Sequence, residues 1–172
     1  ALGLKLIYVG AESGDNEILR RIDKGETFDS TASAIIKSHE AGIKSSVMVI
    51  NGIGGKAHSE QHAIESARLV NLVQPTYLAT LVLTFDRGTE KVINGYDGQF
   101  SELSTLELCT EMEQFIGETH LEKTIFRSDH VSNHLVLKGV LGKEKAQMLN
   151  RIQQASDYFR AHPNYQHHAT EY

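Results

Sequence analysis

The sequence predicts an α/β protein of parallel βα repeats, on three observations. Short, nearly continuous apolar runs centred on Ile7, Val49 and Leu81 read as strands buried on both faces. A segment with helical apolar spacing follows each of the first two, and a shorter one follows the third. Loops bearing Gly10, Gly52 and Gly88 punctuate the ends of the strand-like runs. Periodicity leaves open whether such a sheet closes into a barrel or stays open.

Leu4-Lys5-Leu6-Ile7-Tyr8-Val9 forms the first expected strand and stops at Gly10. Ser13-Gly14-Asp15-Asn16-Glu17 places a cap residue and two acids where a helix N-terminus favours them, and Gly25 closes that helix. Thr27 or Asp29 caps a second helix with Phe28, Ala32, Ile35, Ile36 and His39 on one stripe, ended by Gly42. Val47-Met48-Val49-Ile50 is the next strand. Its glycine-rich exit leads to a helix expected to be capped at Ser59, with Ala63, Ala67 and Val70 inward. Tyr77 to Leu83 is the third strand, followed by a short helix near residues 89 to 94. Ser104-Thr105-Leu106-Glu107 is a capping box opening a helix with Leu108, Met112 and Phe115 on one face. Thr124-Ile125-Phe126 reads as a short strand, residues 127 to 142 as a polar loop, and Met148, Ile152, Ala155 and Phe159 as the inner face of a last helix. Residues 1–100 thus form the βα units, 101–161 a helical extension with a short strand, and 162–172 a mobile tail.

Composition narrows the function classes. The 172 residues carry 17 Lys and Arg against 22 Asp and Glu, a formal charge of −5. That balance gives no general pull toward nucleic acid or anionic membrane. No run of about 18 apolar residues and no signal-peptide layout is present, so a cytoplasmic, non-membrane protein is expected. Cys109 is the single cysteine, which excludes an internal disulfide and a cluster held by three thiolates of this chain. The abrupt opening in a strand-like segment is what a piece of a longer protein would show.

In parallel α/β folds ligands gather where strands end at their C-terminal side. Three such exits are present: residues 10–14, 51–56 and 83–88. At the first, Glu12 and Ser13 have groups to bind ligand hydroxyls or an ammonium, or to satisfy the free N–H groups of the next helix. At the second, Gly52, Gly54 and Gly55 permit close backbone approach to a planar ring or phosphate, or simply a tight turn. Gly52, Gly54 and Ala57 also match a relaxed dinucleotide fingerprint, although the expected helix begins after that motif. The phosphate-loop pattern fails, with Ile50 in place of its first glycine and Ala57 in place of its hydroxyl. Asp129, His130 and His134 have metal-ligand chemistry, but the stretch between them reads as loop and no H-E-x-x-H is present. His167-His168 reads as a solvated pair and Cys109 as a buried thiol.

Tyr8-Val9-Gly10-Ala11-Glu12-Ser13-Gly14-Asp15-Asn16-Glu17, running on to Lys24-Gly25, resembles the fourth strand and helix of radical S-adenosylmethionine (SAM) proteins. Val47 to Gly55 is similar to the fifth strand and its exit, and Leu83-Thr84-Phe85-Asp86-Arg87-Gly88-Thr89 to the sixth. The resemblance spans roughly residues 3 to 150 and implies the second half of a TIM-like partial (β/α)6 barrel with C-terminal helices. It further implies that Glu12 and Ser13 face the ribose or methionine part of SAM and that Lys24 meets its carboxylate. By the same resemblance Gly52, Gly54 and Gly55 line the adenine, with Leu83 and Thr84 beside them. The family's cysteine loop after the first strand is absent, so the resemblance implies no catalytic residue and no metal ligand here, and an inactive fragment. In the intact protein it implies a [4Fe–4S] cluster that cleaves SAM to a 5′-deoxyadenosyl radical acting on an unidentified substrate. Arg127, Asp129, His130 and Asn133 lie in a stretch that resembles a segment downstream of the barrel and are the substrate-side candidates. The expected partners are the missing half of the barrel, a small-molecule or macromolecular substrate, and further copies of the chain through an exposed barrel edge. A dinucleotide-binding domain and a non-catalytic α/β interaction module are the alternatives.

Overall fold

The computed structural model describes residues 3–85, 89–163 and 165. Five strands form one sheet in sequential order: β1 (Leu6–Glu12), β2 (Lys44–Asn51), β3 (Tyr77–Val82), β4 (Ile125–Arg127) and β5 (Lys138–Val140). The first four run parallel and β5 returns antiparallel along β4. Between them lie α1 (Asn16–Arg21) and α2 (Phe28–Glu40), α3 (Gly55–Val73), then α4 (Thr89–Gly95) and α5 (Thr105–Glu118), with α6 (Leu141–Ala161) last. The protein is therefore α/β with a mostly parallel sheet. The tail from residue 166, including His167-His168, and Asp86 to Gly88 lie outside the described residues.

The winding follows from the strand order. Parallel neighbours joined by right-handed crossovers, each step taken in the same direction, place their helices on one side of the sheet. The core obeys this: Val47, Val49, Leu78 and Phe126 of the strands pack with Phe28, Ile35, Ala67, Val70, Phe115 and Ile152 of α2, α3, α5 and α6. Side chains of alternate parity emerge on the other side. There the register aligns Tyr8, Ser46, Tyr77 and Ile125 in one row and Gly10, Met48, Ala79 and Arg127 in the next. The first row, with Ala79 and Arg127 of the second, lines an open concavity of about 300 Å³, and Tyr8 is 73% exposed.

Helix starts follow local chemistry where a side chain is at hand. Thr27 and Ser104 both form reciprocal capping boxes, with Ser30 and Glu107. Two starts depart from expectation. The helix expected to begin at Ser59 begins at Gly55 without a side-chain cap, because the Gly55 N–H donates to Gly52 O and the Lys56 N–H to Ser101 O. The stretch expected as a loop up to residue 142 contains β5, and α6 starts where the Val140 N–H donates to Glu144 Oε2 at 2.6 Å. A side chain at Gly142 would run into the Glu122 carbonyl, so this helix start abuts the preceding chain. No helix among the described residues is long and apolar enough to cross a membrane.

Candidate functional site

The three exits lie together at one end of the sheet because the strands are parallel and in register. Each is built differently.

At the β1 exit the register slips between Gly10 and Glu12, making a bulge, and Glu12 has φ 62°. A left-handed conformation costs a glutamate roughly 1–2 kcal/mol, which its surroundings must offset. Its carboxylate folds back over Gly10, where a Cβ would collide with Oε1, and receives Lys24 Nζ at 2.8 Å. Both side chains remain partly exposed. Ser13 behaves otherwise. It is 1% exposed, and its hydroxyl lies 2.8 Å from His62 Nδ1 while accepting the Asp15 N–H. The helix after it is capped by Asp15, which accepts the Ile18 N–H. Gly14 lies against α3 so closely that a Cβ would meet the Glu65 carbonyl, and its N–H donates to Ser66 Oγ.

The β2 exit is held by buried polar groups. Glu111 on α5 is 2% exposed, accepts the Gly52 N–H through Oε1 at 2.7 Å and the Ser59 hydroxyl through Oε2 at 2.5 Å. Burial pushes its carboxyl up to about 7 against these two hydrogen bonds, which favour the anion. His62 on α3 is 1% exposed, and burial pulls it down to about 4 against the Asp15 charge and the Ile50 backbone, which favour the cation. Its Nδ1 lies between two hydroxyls, that of Ser13 at 2.8 Å and that of Ser66 at 3.4 Å. Nε2 lies 3.9 Å from Glu111 Oε1. A neutral imidazole at that distance makes a dipolar contact with the carboxyl and no ion pair. Gly52, Gly54 and Gly55 are buried. A Cβ on Gly52 would meet Leu108, and one on Gly55 would meet Phe100 and Ser101, so the near sides of these glycines are occupied by protein.

At the β3 exit Leu83 is half-buried, its N–H donating to Asn51 O, and Thr84 is exposed. The space beside Asn51, Gly52, Val82 and Leu83 is only about 20 Å³. Asp86, Arg87 and Gly88, which complete this exit's resemblance, lie outside the described residues.

Of the candidates after β4, Arg127 is exposed and its register position belongs to the open-face row of Gly10, Met48 and Ala79. Asp129 receives Lys138 Nζ at 3.0 Å, which holds its carboxyl below the usual range. His130 Nδ1 is 2.9 Å from Ser132 Oγ. Asn133 is buried, donates to Thr80 O and His130 O, and leaves its own carbonyl oxygen buried without a partner. Ser132 and Asn133 thus tie the loop to β3, whereas Asp129 and His130 stay at the surface. Among the described residues no three His, Cys, Asp or Glu side chains are grouped to hold a metal ion.

His62 and Glu111 were not among the sequence-derived candidates. Each carries a readable signal: Glu111 lies on the apolar stripe of Leu108, Met112 and Phe115, and His62 sits beside Ala63 one turn before Ser66. A polar residue on such a stripe implies a buried partner.

The sequence matches no protein-family model and no curated protein.

Proposed function

We propose that the chain is the second half of a radical SAM catalytic barrel and supplies one wall of its ligand site. The observation that carries this reading is the sequential parallel order with every core helix on one side. It is the winding a barrel uses, and it leaves layered rows on the opposite face for a barrel interior. A doubly wound dinucleotide domain needs a reversal of strand order, which β1 to β4 lack. At the Gly52 loop, moreover, a buried carboxyl group occupies the N–H that a pyrophosphate would use.

Glu12 and Lys24 fit the amino-acid end of SAM. An acid and an ammonium already 2.8 Å apart match a bound zwitterion, Lys24 turning to its carboxylate and Glu12 to its ammonium or to ribose hydroxyls. Ser13 contributes from behind, by holding the turn through His62. The backbone of residues 52–55 forms a stiff wall toward the adenine, and Leu83 and Thr84 border it. A cluster does not fit this chain: Cys109 alone is present, and burial pushes its thiol up. The cluster loop would belong to an upstream half. In the intact protein, SAM with a cluster would supply radical chemistry, and Arg127 with the loop after it would meet the substrate. An uncovered β1 edge and open face would draw copies of the isolated chain together.

The test is to express the gene with its natural upstream sequence, reconstitute it anaerobically with iron and sulfide, and measure 5′-deoxyadenosine formation. Cluster loading with cleavage supports the reading; an upstream region without a cysteine triplet, and no cleavage, overturns it.

A second reading, a non-catalytic interaction module, is favoured by the small space beside the β2 and β3 exits and the larger concavity on the open face. It predicts a partner bound across Tyr8 and Tyr77 with no SAM dependence.

A further inference from the structure

The open face of the sheet carries an arrangement fixed by register. Tyr8 on β1 and Tyr77 on β3 stand two strands apart, about 9.5 Å, with only Ser46 of β2 between them. A ring placed midway would lie about 4.8 Å from each phenol ring, inside the range of aromatic contacts. Ser46 is the floor of that gap: it is 8% exposed, and its hydroxyl makes no hydrogen bond among the described residues. Tyr8, Ser46, Tyr77 and Arg127 line a single concavity of about 300 Å³, a size that small-molecule sites take. The charges here are one-sided. Arg127 and Lys138 face each other across β4 and β5, a like-charged pair that is unfavourable without an anion beside it. Asp129 pairs with Lys138 at 3.0 Å, and although Arg127 also acts on that carboxylate through space, its guanidinium makes no ion pair or hydrogen bond among the described residues. Two cations thus share one acid, while the Glu12 carboxylate at the far edge is taken by Lys24.

We propose that this face binds a small molecule with a planar ring and an anionic group, carboxylate or phosphate, on a short arm, the ring between Tyr8 and Tyr77 over the Ser46 hydroxyl and the anion on the Arg127 guanidinium. Arg127 lies two strands across and one pleat along from Ser46, about 12 Å at the level of the backbone, so the anion is held away from the ring. A guanidinium meets either anion through paired N–H donors. Because β4 ends at Arg127, that group also stands at a C-terminal strand end, where parallel α/β sheets take their ligands. The chain's formal charge of −5 disfavours a long polyanion, so the ligand is a single small anion. That this ligand is the substrate rests on the barrel reading; its binding to the face does not.

The chain has six Tyr and no Trp, so NMR of isotope-labelled tyrosine rings reports on this face directly. The whole chain, without SAM, is titrated with uridine monophosphate and with indolepropionate, which join a ring to a phosphate and to a carboxylate and lack the adenine assigned to the exits. Saturable shifts of Tyr8 and Tyr77, with the exposed Tyr158 of α6 unmoved, are expected for at least one probe, and the probe that binds tells phosphate from carboxylate. Arg127→Gln should raise the dissociation constant about tenfold, the loss of a charged hydrogen bond, and Tyr8→Leu about fivefold. Both side chains are exposed and outside the core, so the fold is kept. Lys143→Gln, which removes an exposed cation from α6, should leave binding unchanged. Uridine and indole binding as tightly as the charged probes, or Arg127→Gln binding as tightly as the native chain, overturns the anion contact. Tyr8 and Tyr77 shifts that follow protein concentration and neither probe place a second copy on the face and overturn the proposal, as does the absence of any shift. No outcome depends on SAM cleavage, so failure here leaves the barrel reading to its own test.

Discussion

The β1 and β2 exits sit side by side on the same sheet, yet they are secured in opposite ways. The β1 exit turns outward: a strained Glu12 presents its carboxylate to a half-exposed Lys24. The β2 exit turns inward: Gly52 is anchored to Glu111, and the first turn of α3 is covered by Phe100 and Ser101. Local strain is tolerable at the first because the second is held rigidly behind it, with His62 linking the two. A ligand would therefore find movable charge on one side and a fixed wall on the other.

The largest effect is expected where the two exits meet. Gly14→Ala forces a Cβ into the Glu65 carbonyl and should cost about 3 kcal/mol or more in chemical denaturation. A full-stability variant would show that α1 and α3 can separate without penalty, and the picture of a braced junction would break.

Next comes pH. His62 has its folded-state value lowered from 6.5 to about 4, so its contribution is complete above 6.5 and is lost as pH falls through 4. Glu111 has its value raised from 4.5 to about 7, so its contribution is complete below 4.5 and is lost as pH rises through 7. The two together place maximum thermal stability near about pH 5.5. Glu111→Gln should remove the decline on the alkaline side and leave the acid side intact, as read by melting temperature against pH.

Ser59→Ala deprives the Glu111 carboxyl of one buried partner and should destabilise by about 1–2 kcal/mol in urea titrations. At the outward exit the sign reverses. Glu12→Gly relieves the left-handed conformation and should stabilise by about 1 kcal/mol, while removing the proposed zwitterion contact. Lys24→Ala, at a part-exposed pair, should change stability by about 0.5 kcal/mol or less. If Glu12→Gly instead destabilises, the carboxylate has a structural role and the two exits are secured more alike.

Much of this architecture was legible in the residues. Thr27 and the Ser104–Glu107 pair mark helix starts by chemistry confined to one turn, and the stripes of α2, α5 and α6 follow from apolar spacing. What escaped depends on distant partners. The start of α3 is set by Ser101, far along the chain, and β5 is a strand only because β4 is there to pair with it. Of the site, Glu12 was readable as a charged group at an exit and Lys24 only through the family resemblance, but the left-handed backbone that joins them was not. Ser13 has the hydroxyl of a ligand contact, and only its partner on α3 reveals that it faces the interior. Glu111 lies 59 residues from the amide that it anchors.

The sequential winding also bears on how the chain folds. Each parallel strand pairs with the one before it in sequence, so units can be added in order, and no strand need wait for a later one to be inserted between it and its neighbour. The step to β4 closes the longest loop, from Val82 to Ile125, and is the slow step expected of this topology. Until it is complete, Phe126 and Ile152 lack the partners that bury them, and the α5–α6 layer is the last part of the core to become dry.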